Sequence, residues 1–148
     1  MSATPEQSLS ASAQITFNNP STLAQPPGYS HVVEVIGTPR TLFIAGQVGT
    51  DLERKVVGAP GDFEAQCKQA FENLKAALES AGANFADVVK INMYFTDIVA
   101  QLPQAAKIRD TYVNTQAPPA STAVEVRKLA RDTLLFEIDA IAVTQAIH

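Results

Sequence analysis

The chain has 148 residues, with 11 basic against 15 acidic side chains, a net charge of −4 and a hydrophobic content of 46%. That length suits one domain around one core, and the acidic balance offers no basic face of the kind a nucleic-acid partner requires. The single cysteine, Cys67, excludes an internal disulfide and fits a reducing compartment, while no run approaches the ~20 apolar residues of a membrane helix; the expectation is a cytoplasmic protein with neither a nucleic-acid nor a membrane partner.

Residues 1–13, MSATPEQSLSASA, are small and polar, without the basic and apolar regions of a signal peptide. They read as a flexible tail before a single domain over 14–148. QITFN (14–18) reads as a short strand and NPSTLAQPPG as a proline-rich loop. YSHVVEVIG (29–37) and TLFIAGQV (41–48) read as strands joined by a TPR turn, which is a hairpin signal. Residues 49–61 are mixed and punctuated by glycine, so a loop is expected there.

Residues 62–81 carry the clearest helix. Phe63, Cys67, Ala70, Phe71, Leu74 and Leu78 recur at steps of three and four and form one apolar stripe. Asp62 can cap its start, and Gly82 can end it in the left-handed conformation. DVVKINMYFTD (87–97) alternates: Val89, Ile91, Met93 and Phe95 take one face, and Lys90, Asn92 and Tyr94 the other. A second helix is predicted from Pro103 to about Val113, with Ala105, Ile108 and Tyr112 facing inward. Two last strands follow, at about 120–128 and 134–143.

The order is β-β-β-α-β-α-β-β, an α+β chain whose two helices can cover one face of a mixed sheet. The last strand is nevertheless apolar on both sides: Leu134, Phe136, Ile138 and Ala140 on one, Leu135, Ile141 and Val143 on the other. A strand of that kind needs two covers. One chain supplies one, so a second subunit is expected on the other face.

Two carboxylates, Glu137 and Asp139, lie two apart in that last strand and therefore point the same way. Burial raises a carboxyl pKa, and so does a second carboxylate, which suits proton transfer near neutral pH. The competing reading is a cross-strand ion pair with Arg127 or Lys128, and it weighs more for Asp139 than for Glu137. The neighbouring strand, PPASTAVEV, is lined by small residues and implies room for a ligand. No His/Cys cluster has metal-ligand spacing, and no phosphate loop or nucleophile elbow is present; neither a metal nor a cofactor is expected. Cys67 on the apolar stripe reads as packing, His31 as a strand-edge residue, and Lys107 and Arg109 as a solvated helix face.

Taken together, the ordered pieces PPGYSHVVEV, LFIAGQVGTD, FEAQCKQAFENLKAALESAGANFADVVKINMYFTD, PPASTAVEVRKL and FEIDAIAV resemble the YjgF/RidA family, the reactive-intermediate deaminases, from about Asn18 to Val143. The resemblance implies a chorismate-mutase-like fold, a homotrimer with small-molecule sites in clefts between subunits, and hydrolysis of enamines or imines to a keto acid and ammonia. It places the family's tyrosine at Tyr29, its strand glutamate at Glu137 and its glycine at Gly46, with Ala45 where serine is usual. Ser121 stands where the family has a substrate-binding arginine, Ala123 where it has cysteine, and Arg109 where a helix asparagine is common.

A guanidinium grips a carboxylate through two charge-assisted hydrogen bonds, and a serine hydroxyl supplies one neutral donor. The exchange costs ~3 kcal/mol, about a hundredfold in transition-state binding. Three readings follow: a hydrolase of C–N compounds with an altered substrate, Glu137 acting as general acid/base beside Tyr29; a hydrolase in which Arg109 or Arg127 restores the lost cation; or a non-catalytic sensor or carrier of a small metabolite. The first is the leading expectation and the third its alternative. The acidic charge makes a nuclease the weakest reading.

Overall fold

A computed structural model describes residues 14–37 and 40–144; the expected tail at 1–13, Thr38 and Pro39 of the TPR turn and residues 145–148 of the expected domain lie outside the described residues. The six strands are β1 (Gln14–Asn18), β2 (Val32–Ile36), β3 (Arg40–Val48), β4 (Val88–Phe95), β5 (Ala120–Glu125) and β6 (Phe136–Thr144). The helices are α1 (Phe63–Ser80) and α2 (Ile98–Arg109), and a 3₁₀ turn at Phe85–Asp87 leads into β4.

α1 forms as its periodicity dictates. Phe63, Cys67, Ala70, Phe71, Leu74 and Leu78 are all buried. The Asp62 carboxylate accepts from the Ala65 amide at 3.0 Å, which satisfies an orphan donor of the first turn. At the other end Gly82 adopts φ +73°, and its amide donates to the Glu79 carbonyl while that of Ala83 reaches back to Leu78. The stripe packs on the sheet through an aromatic cluster: Phe71 stacks on Phe136 at 6.0 Å between ring centres and on Tyr112 at 5.0 Å.

The main sheet is mixed, in the order β3-β6-β4-β5, with β4–β5 parallel and the other pairs antiparallel. The hairpin signal between the second and third strands is overturned. β2 instead pairs with β1, Ile15 opposite Val35, in a separate two-stranded sheet. The alternating apolar residues of β2 fit either partner, and the proline-rich loop returns the chain to β1. Two further boundaries shift. α2 begins at Ile98, five residues earlier than Pro103 implies, because Asp97 caps it by accepting from the Ala100 amide; Pro103 lies inside the helix, which ends at Arg109. In β4 the buried residue is Val88 rather than Val89, because the register with β6 shifts between Val88 and Lys90.

The two helices cover one face of this sheet. Ile91, Met93, Phe95, Phe136, Ile138 and Ala140 point to them and are buried. The opposite face carries Lys90, Asn92, Tyr94, Glu137, Asp139 and Ile141. There Phe43 on β3 is 80% exposed, and Val124 on β5 is exposed too. Among the described residues, no helix is long and apolar enough to cross a membrane.

Candidate functional site

The expected site residues fall into two groups on opposite faces of the sheet. The first lies on the helix side. Ser121 and Ala123 of β5 sit opposite Ile91 and Met93 in the parallel ladder, so their side chains share the helix-facing surface. With Tyr29 and Arg109 they line a cavity of about 370 Å³. Pro27, Met93, Leu102, Pro103 and Ala106 complete its apolar wall.

Arg109 is not on a solvated face. It is 7% exposed, and its Nε donates to Asp110 at 2.9 Å. Gly28, at φ +102°, brings the backbone so close that a methyl group there would fall 2.5 Å from Nη2. No described residue accepts a hydrogen bond from Nη1 or Nη2, yet neither is a buried atom lacking a partner. Both therefore reach open space, and Arg109 is one of the residues that line the cavity. Arg127 does not enter this cavity; it borders a different depression with Thr96 and Leu135. Lys107, as expected of a solvated face, is exposed.

The second group lies on the open face. β3 bulges between Ile44 and Gln47, so that Ala45 and Gly46 together oppose Asp139. Gly46 thereby presses on Glu137: a methyl group there would fall 2.5 Å from Oε1. Burial raises the Glu137 carboxyl above the ordinary range, and the charge of Asp139 adds to it. No hydrogen bond from a described residue reaches that carboxylate.

Asp139 is held differently. It accepts from Asn92 Nδ2 at 2.8 Å and from the Tyr94 hydroxyl at 2.9 Å, and this hydrogen bond is the main reason the Tyr94 phenol is raised. The ion pair considered for the two acids does not form: Lys128 bonds Asp132 at 3.1 Å. Asn92 and Tyr94 escaped notice as site neighbours, although the alternation of β4 already placed them on the face of the two acids.

The remaining candidates are structural. Cys67 is fully buried, and burial pushes its thiol up to about 12, which keeps it protonated and unreactive. His31 Nε2 lies 2.7 Å from the Ala24 carbonyl and its ring meets Tyr29 edge-on. Among the described residues, no group of three His, Cys, Asp or Glu side chains is placed to hold a metal ion.

Comparison with known proteins matches residues 20–144 to the family described as endoribonuclease L-PSP. A RutC family protein of Pyrococcus abyssi is 39% identical over 116 residues, covering 77% of this chain and 84% of the relative. A 2-iminobutanoate/2-iminopropanoate deaminase of Dermatophagoides farinae is 33% identical, covering 82% of this chain and 90% of the relative. Among solved structures, the Rid family protein YyfB of Yersinia pestis superposes with a TM-score of 0.72 at 35% identity, covering 87% of this chain and 98% of that one. The architecture described above is thus the chorismate-mutase-like α+β fold that the sequence implies.

Proposed function

The chain belongs to the YjgF/RidA/RutC family, and from that premise we propose that it hydrolyses an imine, enamine or related C–N compound in a cleft formed between copies of itself. The observation that carries this reading is the division of the candidate site. A cavity holding Tyr29, Ser121, Ala123 and a buried Arg109 lies on one sheet face, and Glu137 with Gly46 on the other. One chain cannot bring the acid to the cavity through its own sheet. A second copy, laid by its open face against the cavity of the first, supplies it. The exposed Phe43 and Val124 on that open face favour such burial, and three copies close the arrangement into a ring.

The chemistry asked of the site is simple. Water adds to the carbon of the C=N bond, and one of its protons passes through the Glu137 carboxylate to nitrogen, giving a carbinolamine; the same carboxylate then takes the hydroxyl proton and delivers it to nitrogen as the C=O bond forms and the C–N bond breaks, so that a carbonyl compound and ammonia leave. A carboxyl raised by burial and by Asp139 is populated in both protonation states closer to neutral pH than an ordinary glutamate, as such a shuttle needs. Tyr29 shapes the pocket entrance, and Gly46 leaves room beside the acid. The net charge of −4 gives a nuclease reading no support.

The test is ammonia release from 2-aminoacrylate and from carboxylate-free imines, with wild type and Glu137→Gln. Turnover by wild type that drops about 10²–10⁴-fold in the variant is expected. If no compound turns over while a metabolite binds both proteins equally, the chain is a small-metabolite sensor or carrier, the alternative that the exchange of the family arginine for Ser121 leaves open. Light scattering tests the assembly, since a stable monomer at micromolar concentration contradicts a shared cleft.

A further inference from the structure

The guanidinium of Arg109 is the group on this molecule whose chemistry is least accounted for by its own surroundings. It is more than nine-tenths buried. A guanidinium has five N–H donors. One of them is taken by Asp110, whose own side chain is about half exposed; the Nη groups have no acceptor among the described residues, and Arg109 lines the cavity. Part of its placement has an ordinary cause, since a cation at the last residue of α2 interacts favourably with the helix dipole. That cause does not require burial. An arginine on the outer side of the same turn gains the same interaction in water. Burying the cation under Gly28, at the wall of a cavity and with its Nη donors unpaired among the described residues, fits an anion that enters from outside.

We propose that Arg109 is the carboxylate anchor of the cavity, doing from α2 the work for which β5 offers only Ser121, and that the ligand is a 2-imino or 2-keto acid with an apolar side chain longer than a methyl group. Two Nη groups match a carboxylate in a fork. The hydroxyls of Tyr29 and Ser121 line the same space and suit the neighbouring nitrogen or oxygen. The rest of the wall is Pro27, Met93, Leu102, Pro103, Ala106 and Ala123, which suits hydrocarbon.

The proposal rests on the hydrolase reading only for the nature of the reacting carbon. Calorimetric titration tests it with 4-methyl-2-oxopentanoate, its methyl ester and pyruvate as probes. Wild type is expected to prefer the branched acid over its ester and over pyruvate, each by about tenfold or more. Arg109→Gln is expected to lose the preference for acid over ester while its affinity for the ester holds. An acid-over-ester preference that survives in Arg109→Gln, or equal binding of acid and ester by wild type, overturns the anchor; equal binding of pyruvate and the branched acid overturns the substrate class. Should Arg109→Gln not fold, the Arg109 Nε–H resonance in wild type decides. It is expected to move on titration with the acid and not with the ester, and a resonance unmoved by the acid overturns the anchor. Ammonia release separates the two readings: turnover intact with the acid preference absent sinks the anchor alone, and a strong preference without turnover sinks the hydrolase alone.

Discussion

The same four strands present two unlike surfaces, and the contrast separates what folds this protein from what it is proposed to do. Toward the helices, β4 and β6 offer Ile91, Met93, Phe95, Phe136 and Ile138, each at most 1% exposed. Away from them, the residues in between are Asn92, Tyr94, Glu137 and Asp139, half-buried and polar. The first surface is dry and closely packed, so its contribution is stability. The second keeps one acid pinned by two hydrogen bonds and leaves the other without a hydrogen-bond partner among the described residues, a poor arrangement for stability and a serviceable one for moving protons. Each side also makes exceptions, among them a buried arginine on the dry side and exposed Phe43 on the polar one.

The largest expected effect comes from breaking the dry side. Phe71 is fully buried and its ring meets those of Phe85, Tyr112 and Phe136. Phe71→Ala removes that ring and leaves a cavity the helix cannot fill, at a cost of ~3–5 kcal/mol, read as a lower midpoint in denaturant unfolding. A change on the open face should come nowhere near it. If a polar residue there matched Phe71 in cost, the division between a stabilising and a working surface would be lost.

Sequence reasoning reached the two surfaces unequally. The helix stripe from Phe63 to Leu78 and the alternation of Ile91, Met93 and Phe95 were legible because burial on one face imposes a period, and a period survives in a single sequence. The pairing of β2 was not. An alternating strand states which of its faces is buried, never which strand lies beside it, and the TPR turn gave a local signal that a longer-range partner overrode. Arg109 shows the same limit at the site. Lysine at 107 and arginine at 109 look alike on a helix surface, and they part only when Gly28 folds over one of them. The pair Glu137 and Asp139 was legible as sharing one face, but the partners of Asp139 come from β4, at a register the sequence does not state.

A smaller effect is expected at the bulge on the open face. In Gly46→Ala the new methyl group meets Oε1 of Glu137 at 2.5 Å, and Cδ at 2.8 Å. The far end of a flexible side chain can turn away from such contact, so the fold is kept and the acid is moved. A displacement of that order is expected to lower kcat for ammonia release by about ten- to a hundredfold, with denaturant stability close to that of wild type. A loss of stability on the scale of Phe71→Ala would instead make Gly46 part of the core problem.

The smallest effect has the most informative sign. Burial, with Asp139 beside it, raises the Glu137 carboxyl in the folded chain, so the folded state holds this proton more tightly than the unfolded one. Its contribution to stability is then fully present below the ordinary glutamate range and is lost as pH rises through the elevated folded value. Glu137→Gln cannot lose that proton. Its stability relative to wild type should therefore be higher at neutral and alkaline pH, and the advantage should shrink as the solution is acidified. Unfolding midpoints of the two proteins across pH measure this directly. A variant less stable than wild type at neutral pH would mean that the glutamate is held by favourable contacts, for instance from a neighbouring copy, and the open face would then be a second source of stability as well as the working one.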